Sequence, residues 1–263
     1  NINNNKDRET MKKLTIAFLI VLGSFSYASA ETLRLSVGVN GNIGMLAADG
    51  EEHSYVARAT IKNQVEKRSE ELLFGAASLF GEIHVPFGFR VGVSFVPYSI
   101  ESNTTSSKYT SFQTCPATGN NNTCNGNNGA SNNSNGQGTG EADITQKVQV
   151  DINDMTTMYV AYHHSINENQ SVFIKAGLIQ ADLITNEVLQ TNSVYGNTTL
   201  DGQTASIGYE HNLPNGFFVR GAADYTAFDD VSISSTGTNA NANKVLLRNM
   251  AGPSGTFSIG KTF

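Results

Sequence analysis

Along most of this chain apolar and polar residues alternate with a period of two, the spacing at which a β-strand sends successive side chains to opposite faces. In the first such segment Leu33, Leu35, Val37, Val39 and Ile43 share one face, opposite Arg34, Ser36, Gly38, Asn40 and Asn42. A second runs from about Leu72 to Val85, with Leu73, Ala77, Leu79, Ile83 and Val85 opposite Ser78, Glu82 and His84. The third, Phe89 to Ser99, sets Phe89, Val91, Val93 and Phe95 against Arg90, Gly92 and Ser94. The fourth, Gln146 to His164, places Val148, Val150, Ile152, Met158, Val160 and Tyr162 on one predicted face. In the fifth, Ser171 to Asp182, Val172, Ile174, Ala176 and Leu178 oppose Ser171 and Lys175, while Phe173 and Ile179 break the pattern. The sixth (Leu200 to Leu213) and seventh (from Phe217) put Ile207, Tyr209, Val219, Ala223 and Tyr225 opposite Ser206, Glu210, Arg220 and Asp224. The eighth ends the chain: Phe257, Ile259 and Phe263 share a face, and the pattern reaches back toward Lys244 through a break near Pro253.

The connections alternate in length. Short ones fall at Pro86-Phe87-Gly88, at 166–169 and at Pro214-Asn215-Gly216; long polar ones fall at roughly 48–71, 100–145, 183–199 and 229–243. Long and short in strict turn is the layout of an even-stranded barrel in an outer membrane, with tight turns in the periplasm and long loops outside. The predicted fold is all-β: an eight-stranded antiparallel up-and-down transmembrane β-barrel with four long outer loops and three short periplasmic turns. Eight strands enclose a lumen that side chains fill, whereas open porins need about 16. A secreted β-sandwich also alternates, but its loops need not alternate in length.

Composition adds an address. Met11-Lys12-Lys13, the apolar run Leu14–Leu22 and the small residues Ala28-Ser29-Ala30 form a signal-peptide pattern too short to span a bilayer. The expected organisation is an upstream segment at 1–10, a signal peptide at 11–30 and a barrel at 31–263. Removing residues 1–30 takes four of 17 basic and two of 23 acidic residues, leaving a net charge of −8. That acidity argues against nucleic acid as a partner. Hydrophobic content is 39%, modest for a chain with one large core but suited to a barrel that wears its apolar residues outside.

Charges on the polar faces have to face the lumen, because lipid excludes them. A tight turn centred on Pro86 would place Glu82 opposite Arg90, and a three-residue turn at 214–216 places Glu210 opposite Arg220, each pair about 5 Å apart at Cβ. Arg34 and Asp224 could join them. The six residues form a predicted lumenal ion-pair network near the short-turn end. Lys261, on the apolar face, is placed to snorkel to headgroups.

Other candidate chemistry is weak. His163 and His164 point to opposite faces of a regular strand and cannot chelate one ion. His211 and Ser206 are likewise separated by parity, and Asp143 to Asp154 lacks the ligand spacing of a calcium loop. No catalytic residue, metal or cofactor is expected. Cys115 and Cys124 lie in an Asn- and Gly-rich stretch with no other metal ligand between Phe112 and Gly140, which predicts a disulfide in an exported chain. Residues 102–142 read as a long disordered-like outer loop.

The signal peptide, eight alternating strands, long loops and terminal Phe263 together resemble the small eight-stranded outer-membrane β-barrel superfamily that includes the OmpA transmembrane domain, OmpX and the opacity-type proteins. The resemblance implies outer-membrane lipid and lipopolysaccharide as surroundings. It also implies that the barrel-assembly machinery reads the last strand through Phe257, Ile259 and Phe263. It points to a non-enzymatic, structural or surface-interaction role, with a cell-surface or phage partner at the long loops. A narrow channel or carrier of a small hydrophobic ligand is the alternative, and a lipid-modifying enzyme a third class.

Overall fold

The computed structural model describes residues 34–54, 64–102, 105–115, 131–132, 138–188, 194–236 and 244–263. The expected leader at 11–30 and upstream segment at 1–10 lie outside them, as do Leu33 and Cys124, and with Cys124 the expected disulfide. The strands, in chain order, are β1 (Arg34–Ser54), β2 (Gln64–His84), β3 (Phe89–Phe95), β4 (Ile100–Glu101), β5 (Thr105–Cys115), β6 (Ser131–Asn132), β7 (Gly138–Asn167), β8 (Gln170–Val188), β9 (Val194–Tyr195), β10 (Thr198–Asn212), β11 (Phe217–Phe228), β12 (Val231–Thr236) and β13 (Lys244–Thr262).

Eight of them close a ring of antiparallel neighbours in the order β1-β2-β3-β7-β8-β10-β11-β13, and β13 returns to β1 from Thr262↔Ser36 upward. The Phe263 N–H donates to Leu35 O at 2.8 Å, completing the seam. From Leu35 to Met45 the outward face of β1 is apolar and exposed, the length that a tilted transmembrane strand needs, ~9–11 residues. Phe257, Ile259 and Phe263 face outward on β13, and Phe89, Tyr162, Phe217 and Phe263 form an aromatic girdle near the short turns. Lys261 lies over the Phe217 and Phe263 rings, 5.2 and 5.0 Å from their centroids.

The two Pro-x-Gly turns share one geometry. Phe87 (φ 65°) and Gly88 (φ 80°) match Asn215 (φ 64°) and Gly216 (φ 78°), and Val85 pairs with Phe89 as Leu213 pairs with Phe217. The first turn is therefore centred on Phe87, not Pro86. Arg90 pairs with His84 and Glu82 with Gly92, so Glu82 and Arg90 are not directly opposed as the sequence suggested. Glu210 does pair with Arg220.

Two bulges invert the facing of the wall. At Asp154 (φ 51°) the β7–β8 register shifts between Asn153 and Thr156, and at Asn249 (φ 52°) the β13–β1 register shifts near Asp49. Asp and Asn tolerate this left-handed backbone, and one extra residue flips every side chain beyond it. Val150 and Ile152 consequently point inward while Met158, Val160 and Tyr162 point outward, correcting the single apolar face predicted for that segment. β13 runs unbroken through Pro253; its irregularity sits at Asn249. Asp49 pins that bulge by accepting from Ser69 (2.6 Å) and from Asn249 Nδ2 (3.0 Å), bonds that hold its carboxyl below the ordinary carboxylate range.

The wall continues past the apolar band. Residues expected as loops at 48–71 pair as strands up to Ser54↔Gln64, and β5 pairs with β7 from Thr105↔Val148 to Cys115↔Gly138 inside the stretch read as a disordered loop. Most of the rest of 102–142 lies outside the described residues. One interruption falls within the band. The β2–β3 ladder stops at Leu79↔Phe95, after which the chain follows β7 alone through Val96 N–H to Met155 O (3.0 Å) and Ile100↔Ile152. Above Leu79 this edge of β2 has no strand partner among the described residues; the Tyr98 hydroxyl accepts from Ala77 N–H instead.

Candidate functional site: a plugged lumen beneath an apolar chamber

Moving along the strands from the short turns, the lumen passes through three layers. The lowest is ionic. Arg90 grips Glu210 in a fork (Nη2–Oε1 2.7 Å, Nη1–Oε2 2.8 Å), and Arg220 grips Glu82 in another (Nη1–Oε1 and Nη2–Oε2 both 2.7 Å). The forks are cross-linked: Arg220 Nε donates to Glu210 Oε2 at 2.7 Å, and Arg90 Nη1 lies 3.5 Å from Glu82 Oε2. Both carboxylates are 1% exposed. Two acids and two bases balance, and nearly every lone pair has a donor, which is the condition under which a buried ion cluster is tolerated.

Aromatic rings complete this layer, and each rests on a glycine. Phe80 pairs with Gly38, Tyr159 with Gly92, Phe173 with Gly208 and Phe218 with Gly260 across adjacent strands. A Cβ on Gly38 or Gly92 would stand 2.6 Å from its ring, so only glycine admits it. Arg220 lies 4.6 Å from the Phe218 centroid, 5.4 Å from Phe80 and 5.6 Å from Phe173. The Tyr159 hydroxyl donates to Glu82 at 3.0 Å, and His163 stacks on Phe173 at 4.9 Å with Nδ1 3.9 Å from Glu210. Ions, rings and glycines together fill the bore.

Of the six residues expected to form the network, the structure joins Glu82, Arg90, Glu210 and Arg220. Asp224 sits one layer higher, paired with Lys175 at 3.5 Å. Arg34 is exposed at the β1 start and makes no ion pair with the cluster among the described residues. His163 and His164 take opposite faces, as expected: His163 is buried in the lumen and His164 is exposed.

The middle layer is polar and uncharged apart from Lys175 and Asp224. Asn40, Asn42, Ser78, Ser94, Thr204, Thr226 and Thr256 line it, linked by short bonds such as Asn40 to Ser78 (2.9 Å). The top layer is apolar. Leu46, Ile152, Ile179, Ala181, Leu183, Leu200, Phe228, Val231 and Met250 form one buried cluster, with Phe74, Ile100, Val150, Met155 and Leu247 packed against it. A cavity of about 120 Å³ lies between this cluster and the polar layer. Its wall includes Leu72, Phe74, Ala76, Val96 and Ile100, the residues flanking the interruption between β2 and β3.

No known family pattern matches the sequence, and no curated protein is close enough in sequence to count as a relative. Solved structures of outer-membrane proteins match over most of the chain at low identity. OprG from Pseudomonas aeruginosa is 9% identical, with 88% of this chain and 96% of that one covered and a TM-score of 0.49. AlkL is 11% identical (90% and 93% covered, TM-score 0.42), and the outer-membrane protease OmpT from Escherichia coli 10% (91% and 100% covered, TM-score 0.42). At these values they say nothing of what this chain binds. The architecture is that of a small outer-membrane β-barrel, as its own closed ring and apolar exterior require.

Proposed function

We propose that this barrel accepts a small apolar molecule in the outer half of its lumen and exchanges it sideways with the membrane, without a path to the periplasm. The observation that carries this reading is a chamber walled above by the apolar cluster and closed below by a filled ionic layer. A lumen that only needed filling could be polar throughout, as lumens of membrane barrels usually are. The interruption above Leu79 supports the sideways route: it opens at the chamber's height, beside Leu73 and Ile43, which are 74% and 66% exposed on the lipid face. An unpaired strand edge at that depth is tolerated where it borders a cavity.

The barrel is non-enzymatic in this reading. Met11–Ala30 exports it, the assembly machinery reads Phe257, Ile259 and Phe263, and lipid with lipopolysaccharide surrounds it. The test is binding of anthracene, an apolar fluorophore, to the barrel in lipid nanodiscs. Inward Phe74→Asn should abolish the signal above that of empty discs, and outward Ile207→Asn, on the opposite wall, should spare it. Equal loss in both, or no signal with wild type, rejects the proposal.

The β5–β7 ladder favours a second, compatible role in surface contact. It carries the wall some ten residues past Val148, about 33 Å of extended chain. Deleting 102–142 would then spare assembly and abolish adhesion of a cell or phage partner; unchanged adhesion would reject that role.

A further inference from the structure

The polar floor of the chamber has an unbalanced hydrogen-bond inventory, and the imbalance names a ligand class. Lys175 projects from β8 into the cavity wall, its ammonium 5.2 Å from the Tyr159 ring centroid and 3.5 Å from Asp224 Oδ1. An ammonium has three N–H donors, and that long contact is its sole polar one among the described residues. Asp224 Oδ1 also accepts from Ser206. Asp224 Oδ2 depends on the Thr256 hydroxyl at 2.6 Å, but that hydroxyl is equally 2.6 Å from Asn42 Oδ1. One proton cannot serve both acceptors at once. The floor therefore offers spare donors on Lys175 beside one acceptor more than its hydroxyl protons serve, shared between Asp224 and Asn42.

We infer that the chamber selects apolar molecules bearing one neutral hydroxyl, such as medium-chain alcohols, seated with the oxygen between Lys175 and Asp224 and the chain among Leu46, Phe74 and Phe228. A hydroxyl accepts from the ammonium and donates to the carboxylate. A carboxylate brings no proton and meets Asp224 as a like charge, an amine meets Lys175, and an alkane leaves both groups unserved. This rests on the chamber proposed above.

The experiment displaces anthracene from the barrel in nanodiscs with decane, 1-decanol or decanoate, each expressed as mole fraction in the lipid so that partitioning cancels. Decanol should displace at concentrations at least about tenfold below decane or decanoate, the ratio that a hydrogen bond to a charged partner supplies. In the charge-balanced double variant Lys175→Met/Asp224→Asn the decanol advantage over decane should fall below about threefold. In wild type, decanol but not decane should shift the Lys175 Nζ resonance in a 15N NMR spectrum, a readout that does not need the variant to fold. Equal displacement by decane and decanol, a retained advantage in the double variant, or an unmoved Nζ resonance overturns the inference and leaves the chamber standing. Failure of anthracene to bind at all removes both.

Discussion

Replacing Arg220 by Met keeps much of the side chain's length between Phe80, Phe173 and Phe218 but removes a guanidinium that makes three N–H bonds of 2.7 Å to Glu82 and Glu210. Glu210 keeps its fork from Arg90. Glu82 keeps only the Tyr159 hydroxyl at 3.0 Å and Arg90 at 3.5 Å, and remains buried with a charge that no longer has a close partner. Stripping one partner from a buried pair costs about 3–5 kcal/mol, much of it the desolvated charge left behind. The second substitution, Glu82→Gln, removes that charge while preserving the Tyr159 contact. The double variant should therefore be about 2 kcal/mol more stable than Arg220→Met alone, since the Arg90–Glu210 fork is complete by itself. The assay is urea-driven equilibrium folding into lipid vesicles followed by far-ultraviolet circular dichroism, which does not depend on the Trp this chain lacks. Additive losses, or a cost for Arg220→Met below about 1 kcal/mol, would refute a coupled ionic plug.

Gly92→Val should unseat Tyr159 and slow folding into vesicles, because the introduced Cβ would lie 2.6 Å from its ring, while Gly221→Val, where a Cβ meets nothing within 4 Å, should not. In planar bilayers wild-type barrel should show no steady conductance, and Arg90→Ala/Glu210→Ala should show discrete openings; steady wild-type current would contradict a filled bore. Phe263→Ala should lower the heat-modifiable, folded fraction in the outer membrane without altering anthracene binding by the barrels that do insert. Mass spectrometry of the exported chain should find Cys115 and Cys124 bridged and the chain beginning at Glu31; free thiols or an intact leader would count against the expected export route.

The ring was legible because the period of two is set by backbone geometry and lipid enforces it on the outer face: Leu35, Val37, Val39, Phe257 and Ile259 could only be read one way. The inner face obeys looser rules, and there the reading held only in part: Glu210 opposite Arg220 was legible, the register around it was not. Phe173 broke the pattern because it packs on Gly208 of the next strand, and Gly–aromatic pairing depends on a register that periodicity does not supply. The misplacement of Glu82 against Arg90 has the same origin, since centring the turn on Phe87 instead of Pro86 moves the partner by two residues. Bulges were beyond reach: Asp154 and Asn249 are ordinary polar residues in sequence, yet each reverses the facing of the strand beyond it. That reversal sends Val150, Ile152 and Leu247 into the lumen, so the apolar chamber, the feature that bears most on function, was hidden behind an alternation that looked unbroken.

The most direct test of the chamber is photolabelling in nanodiscs with a diazirine-bearing decane, followed by peptide mapping of the adducts. Adducts on inward Leu46, Phe74, Ile152 and Met250 that excess unlabelled decane suppresses are the predicted result. Adducts confined to outward Ile43, Leu73, Val160 and Tyr225, unaffected by competitor, would contradict it.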